Sequence, residues 1–213
     1  MTLLILGLVL FLGVHSTRIV AEGWRTQMLA KLGPNGWKAV VSVLSIVGFA
    51  LIVIGYGQAR LDPTVLWNSP RWGKHAATLL TMLAFVLLVA TYVPGNVFKA
   101  KLGHPMVLAV KVWAIAHLLS NNTLADLLLF GGLLVWAVLS FRAAKARDRA
   151  ANAINAINAM NVANTTNASS AAAPAWSLPM TLVTVLVGAA AWVGFALWAH
   201  QAWIGVHPLM HRY

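Results

Sequence analysis

Apolar residues occur in long unbroken runs along this chain, and polar residues gather in short stretches between them. The runs cover Thr2 to Val14 and onward, Ala39 to Tyr56, Ala76 to Val93, Met106 to Leu119, Leu124 to Phe141, and Leu178 to Ala199. Each approaches the roughly 20 residues that a helix needs to cross a bilayer, the first and fourth only with their polar edges. None shows the strict alternation of barrel strands. The pattern predicts an all-α, polytopic membrane helix bundle of about six transmembrane helices. Residues 1–142 hold the first five as one membrane domain, and residues 176–213 add the sixth helix and a C-terminal tail to it. Residues 143–175 are read as an Ala/Asn-rich cytoplasmic linker.

Composition agrees. Of 213 residues, 60% are hydrophobic and 9% charged, where a soluble domain carries about 25% charged residues. The net charge of +11 raises the possibility of a nucleic-acid partner. The cations lie in short loops between apolar runs, where they set membrane orientation, so no nucleic acid is expected. Ten of them (Arg18, Arg25, Lys31, Lys38, Lys99, Lys101, Arg142, Lys145, Arg147 and Arg149) fall on one side, against Arg60, Arg71, Lys74 and Arg212 on the other. The first side is then cytoplasmic, and both termini face the periplasm of a bacterial inner membrane. Cysteine is absent, which excludes disulfides, thiolate catalysis and thiolate metal sites. The first run lacks a positive n-region, and His15-Ser16-Thr17-Arg18 stands where a cleavage site should begin, so it reads as an uncleaved helix. Ala150 to Pro174 cannot bury a core and reads as a tether. Its sequons at Asn164 and Asn167 lie on the cytoplasmic side and carry little meaning.

An ionisable group inside a spanning helix is costly and suggests function, yet several here have structural explanations. Thr123 and Asp126 have the spacing of a capping box. Asn121 and Asn122 suit the turn before it, and His75 can snorkel at an interface. His207 and His211 lie one turn apart beyond the last run, without a carboxylate to complete a metal site. His104 and Lys111 share nearly one helix face, Pro105 suits a first helical turn, and Lys111 either snorkels or meets an anionic group. His117 falls about 140° round from His104, on the face of Trp113 and Asn121. His15, Arg18, Glu22 and Arg25 are spaced as a polar stripe leaving the membrane. A histidine followed by cations suits an amphipathic anion, and haem has that chemistry: a flat apolar macrocycle, an iron for imidazole, and two carboxylates. A helix-packing histidine bonded across the bundle is the competing reading.

The order of motifs resembles the NnrU family, whose wider superfamily includes the zeta-carotene isomerase of plants. The matching stretches are "LFLGVHSTRI" at 10–19, "WKAVVSVLSIVGFALIVIGYGQAR" at 37–60, "HPMVLAVKVWAIAHLLSNN" at 104–122, "LLLFGGLLVWAV" at 127–138 and "GVHP" at 205–208. The resemblance implies an inner-membrane protein connected with nitrite and nitric oxide reduction in denitrifying bacteria. A nitrogen-oxide reductase or another redox membrane protein would be its partner, and membrane lipid its surroundings. Isomerase relatives carry haem b on histidines of the His-Ser and Trp-x-x-x-His helices. By position these are His15 and His117, axial to the iron, with Trp113 beside the second. Arg18, Arg25 or Lys111 would neutralise the propionates. The isomerase branch has a cysteine three residues before the second histidine, and Ala114 stands there in this chain. That departure weighs against the alternative of a haem-dependent carotenoid or isoprenoid cis-trans isomerase. A cofactor-free transporter or accessory subunit is the other alternative, although the halves show no self-similarity. Depth creates a tension. His15 lies about 20 Å in from the outer end of its helix, whereas His117 lies within about one and a half turns of an outer end. By depth alone, His104 is the better match for His15.

Overall fold

The computed structural model describes residues 1–163, 176–206 and 208, and these are helical with short connections. Helix α1 spans Thr2–Val20, α2 Glu22–Ala59, α3 Arg71–Tyr92, α4 Val97–Leu102, α5 Pro105–Ser120, α6 Leu124–Ala163 and α7 Leu178–Gly194. A π-helical turn, Phe195–Ala199, leads from α7 into α8, His200–Ile204. Five helical stretches are long and apolar enough to cross a membrane, the last being Leu178–Ile204 taken together. The fourth expected span, α5, has 16 residues, about 24 Å at 1.5 Å per residue, which is short of a full crossing. Large apolar side chains point outward along the spans, as with Val9 and Ile46 at 68% exposure and Leu186 at 68%. Outward apolar side chains suit a protein whose surroundings are lipid.

The chain divides into two compact units, Met1–Thr81 with Val110–Ser140, and Met82–Ala109 with Phe141–Tyr213. In the first unit, glycine allows α1 and α2 to touch backbone to backbone. A Cβ at Gly7 would lie 2.6 Å from Ile52 N, and one at Gly48 2.9 Å from Phe11 N. At Gly55 it would collide with Leu4 N. Lipid tails are as apolar as leucine, so such close packing supplies what burial supplies in water. Leu4, Leu8, Ile52, Ala114, Ala125, Leu129 and Phe130 form the core of this unit. Helix α2 bends at Gly33 (φ 70°, ψ 168°) before Pro34, where α-helical geometry is lost. The loop after α2 is stitched to the turn between α5 and α6 by Leu66 N–H to Asn122 O at 2.8 Å and Leu124 N–H to Thr64 O at 2.9 Å. Asn122 Nδ2 adds a bond to Trp67 O at 2.7 Å.

In the second unit, a Cβ at Gly188 of α7 would meet Val86 Cα of α3 at 2.7 Å. Fully buried Asn96 donates to Ala90 O and Val93 O and caps α4 by accepting from Lys99 N–H at 2.9 Å. Val97 N–H donates to Thr181 Oγ1 at 3.0 Å, which ties α4 to α7.

Two expectations change. The polar stripe from His15 to Arg25 is not one helical face, because Ala21 (φ −139°, ψ 42°) separates α1 from α2. The Ala/Asn-rich stretch, read as a linker from 143, is helical as far as Ala163 and exposed from Arg149 to Asn161. Alanine has the highest helix propensity, so this segment continues the helix without burying a core. The sequons at Asn164 and Asn167, together with His207, His211 and Arg212, lie outside the described residues.

Candidate functional site

His15 sits in the fourth turn of α1, half-buried. Its Nδ1 lies 2.7 Å from Phe11 O, one turn back on the same helix. A carbonyl can only accept, so Nδ1 carries the proton and Nε2 of the neutral ring holds the lone pair. That bond also orients the ring, as metal-ligating histidines are commonly oriented. Phe11 packs on the imidazole with ring centroids 4.3 Å apart. Trp136 of α6 meets it edge-on at 6.0 Å and 88°. The indole Nε1 of Trp136 is buried and has no hydrogen-bond partner among the described residues. The two rings that meet edge-on thus carry an imidazole lone pair and an indole N–H, and a buried hydrogen bond left unmade costs about 1–3 kcal/mol.

His117 has the same tie to its own helix, Nδ1 donating to Trp113 O at 2.9 Å. Its surroundings are closed. The ring stacks on Phe130 at 4.5 Å and 30°, and Trp113 lies 4.5 Å from His117 and 5.1 Å from Phe130. Tyr56 meets Phe130 edge-on at 6.3 Å. The Tyr56 hydroxyl donates to Asp126 Oδ1 at 2.5 Å. Asp126 Oδ2 accepts from Thr123 N–H at 3.0 Å and from Thr123 Oγ1 at 2.6 Å, in the capping-box arrangement that the spacing predicts.

The contacts on α6 set the relative depth of the two histidines. His15 meets Trp136, and His117 meets Phe130, six residues earlier. Six residues rise about 9 Å. The structure thus does not bring His15 and His117 to one level, and the tension read from their helix positions persists. Phe11, Leu12 and Trp113 pack against the core made by Leu8, Ala114 and Phe130. Helix α5 runs antiparallel to α6 across a short turn, so Lys111, six residues before His117, shares the level of Trp136 and His15. Lys111 is half-buried and makes no ion pair among the described residues.

The remaining candidates are distributed as follows. Arg18 is exposed one turn beyond His15. Arg25 is held by Glu22 at 3.0 Å, which neutralises it locally. His104 precedes α5 and belongs to the second unit, where its Nε2 lies 2.8 Å from Asp148 Oδ2. A carboxylate already occupies that nitrogen. Trp136, Tyr56 and Phe130 were not singled out by the sequence, because each looks like ordinary span filling. The only hint was the tryptophan in "LLVWAV" at 133–138. Among the described residues, no cluster of three or more His, Asp or Glu could hold a bare metal ion. A porphyrin iron requires only one or two protein ligands, and His15, whose Nε2 makes no hydrogen bond among the described residues, fits that need. The family described as NnrU protein matches residues 3–208. No curated protein and no solved structure matches the chain.

Proposed function

The chain belongs to the NnrU family, and from that premise we propose that it is a multi-pass membrane protein binding b-type haem through His15. Its setting would be the reduction of nitrite and nitric oxide that the resemblance implies, in a bacterial inner membrane with both termini periplasmic. The observation that carries the reading is the pair at α1 and α6. His15 presents a lone pair fixed by the bond to Phe11 O, and its ring meets that of Trp136, whose buried N–H has no acceptor among the described residues. Bound haem would supply one-electron exchange at its iron. Phe11 O holds the imidazole in the tautomer whose Nε2 can ligate, and the Phe11 ring covers one of its faces. Trp136 Nε1 would donate to an acceptor on the bound group. Arg18 at the surface and Lys111 at the depth of His15 offer positive charge to carboxylates, whereas Arg25 is engaged by Glu22. His117, enclosed by Trp113 and Phe130, serves the packing of the Tyr56 and Asp126 region.

Absorption spectra of the purified protein, oxidised and reduced, test this reading. Wild type produced with an adequate haem supply should show a Soret band and reduced haem b features. His15→Ala should lose them and His117→Ala should keep them. Loss in both variants would instead support the axial pair implied by the family resemblance. A wild type without a Soret band would overturn haem binding in favour of a cofactor-free accessory or transport role.

A further inference from the structure

The second unit carries a basic surface that the haem reading does not use. Helix α6 crosses from its apolar stretch into Phe141-Arg142-Ala143-Ala144-Lys145-Ala146-Arg147-Asp148-Arg149. Phe141, Lys145 and Asp148, at i, i+4 and i+7, face the end of α4. The His104 ring meets Phe141 edge-on at 6.3 Å and bonds Asp148 Oδ2 at 2.8 Å. A Cβ on Gly103 would lie 3.0 Å from Lys145 Nζ, so glycine leaves the room that this ammonium occupies. At about 100° per residue, Arg142, Lys145 and Arg149 fall within about 60° of one another, and Arg147 points to the opposite side.

The acidic residue within this segment, Asp148, already accepts from His104. Arg142 and Arg149 are exposed and form no ion pair among the described residues. At the other edge of α4, Lys101 Nζ lies 6.0 Å from the centre of the Trp176 ring, just before α7. Trp176 is 43% exposed, and tryptophan next to a span is characteristic of the headgroup level of a bilayer. The geometry points to a binding site for the phosphate of an anionic glycerophospholipid, with Arg142, Lys145 and Arg149 as its cations. Charge complementarity selects this occupant: three clustered cations against one carboxylate, which His104 holds through Oδ2, at a depth where lipid phosphates lie. Basic residues beside a span are worth about 1 kcal/mol each toward anionic lipid, a factor of roughly five in affinity.

Native mass spectrometry of the full chain, released from mixed phosphatidylglycerol and phosphatidylcholine micelles, gives the test. Wild type should retain phosphatidylglycerol preferentially. Each of Arg142→Gln, Lys145→Gln and Arg149→Gln should lower that preference about fivefold, and the triple variant should show none. Arg147→Gln should leave it unchanged, and circular dichroism of each variant should match wild type. An equal loss in Arg147→Gln would overturn the site, because net charge alone would then explain binding. Displacement of the lipid by millimolar inorganic phosphate would overturn the lipid assignment in favour of a soluble phosphate. Neither result depends on whether haem binds.

Discussion

Two polar regions of the first unit solve the same problem differently. At Tyr56, Thr123 and Asp126, both carboxylate oxygens are bonded, a hydroxyl from α2 reaches across to α6, and Asp126 is 4% exposed. At His15 and Trp136, about 15 Å further along α6 from Asp126 by helical rise, an indole N–H is buried and unbonded among the described residues, on a ring that meets the imidazole edge-on. Helix α6 contributes to both regions. The first shows that this unit can satisfy a buried carboxyl group fully, so the open pair is not a failure of packing in general. A closed network holds the fold together, while an open one has capacity for something else.

Substitutions in the closed region should cost stability without affecting the haem band. The open region should behave in the opposite way. The largest effect on stability is expected for Asp126→Ala, which strands the Tyr56 hydroxyl and two Thr123 donors and should cost about 3 kcal/mol. Denaturation in detergent measures it, and a loss below about 0.5 kcal/mol would remove the contrast. Gly55→Ala should follow at about 2 kcal/mol, because the new methyl would enter the backbone of Leu4. Tyr56→Phe removes one hydrogen bond and should cost about 1 kcal/mol. Trp136→Phe should change stability least, within about 0.5 kcal/mol, because relief of the unpaired N–H offsets the ring volume lost. The same variant should weaken haem retention about tenfold, one hydrogen bond of about 1.4 kcal/mol, as measured by transfer to apomyoglobin.

Much of the fold was legible in the chain. The apolar runs located the spans, Pro105 marked the start of α5, and Thr123 with Asp126 gave the cap of α6. The break at Ala21 was not legible, because Gly23, the glycine nearest to it, lies inside α2 and the polar spacing on either side fits a continuous helix. The extension of α6 to Ala163 was hidden by asparagines that suggested a loop, although the alanines between them favour helix. The candidate site was half legible. A histidine in a span announces itself, but its neighbour Trp136 lies 121 positions further on and looks apolar. The partner of His104, Asp148, is likewise 44 residues away and resembles one charge among several at the end of a span. Contacts between distant helices carry no periodic signal in a single sequence.

The most direct measurement is chemical rescue at the open site. His15→Gly removes the ring and leaves a space that imidazole in the buffer can fill. The protein should be colourless alone and regain the Soret and reduced haem b bands as imidazole is added with haem, while Asp126→Ala shows no such dependence. A His15→Gly protein that binds haem as wild type does, with no response to imidazole, would contradict ligation by His15.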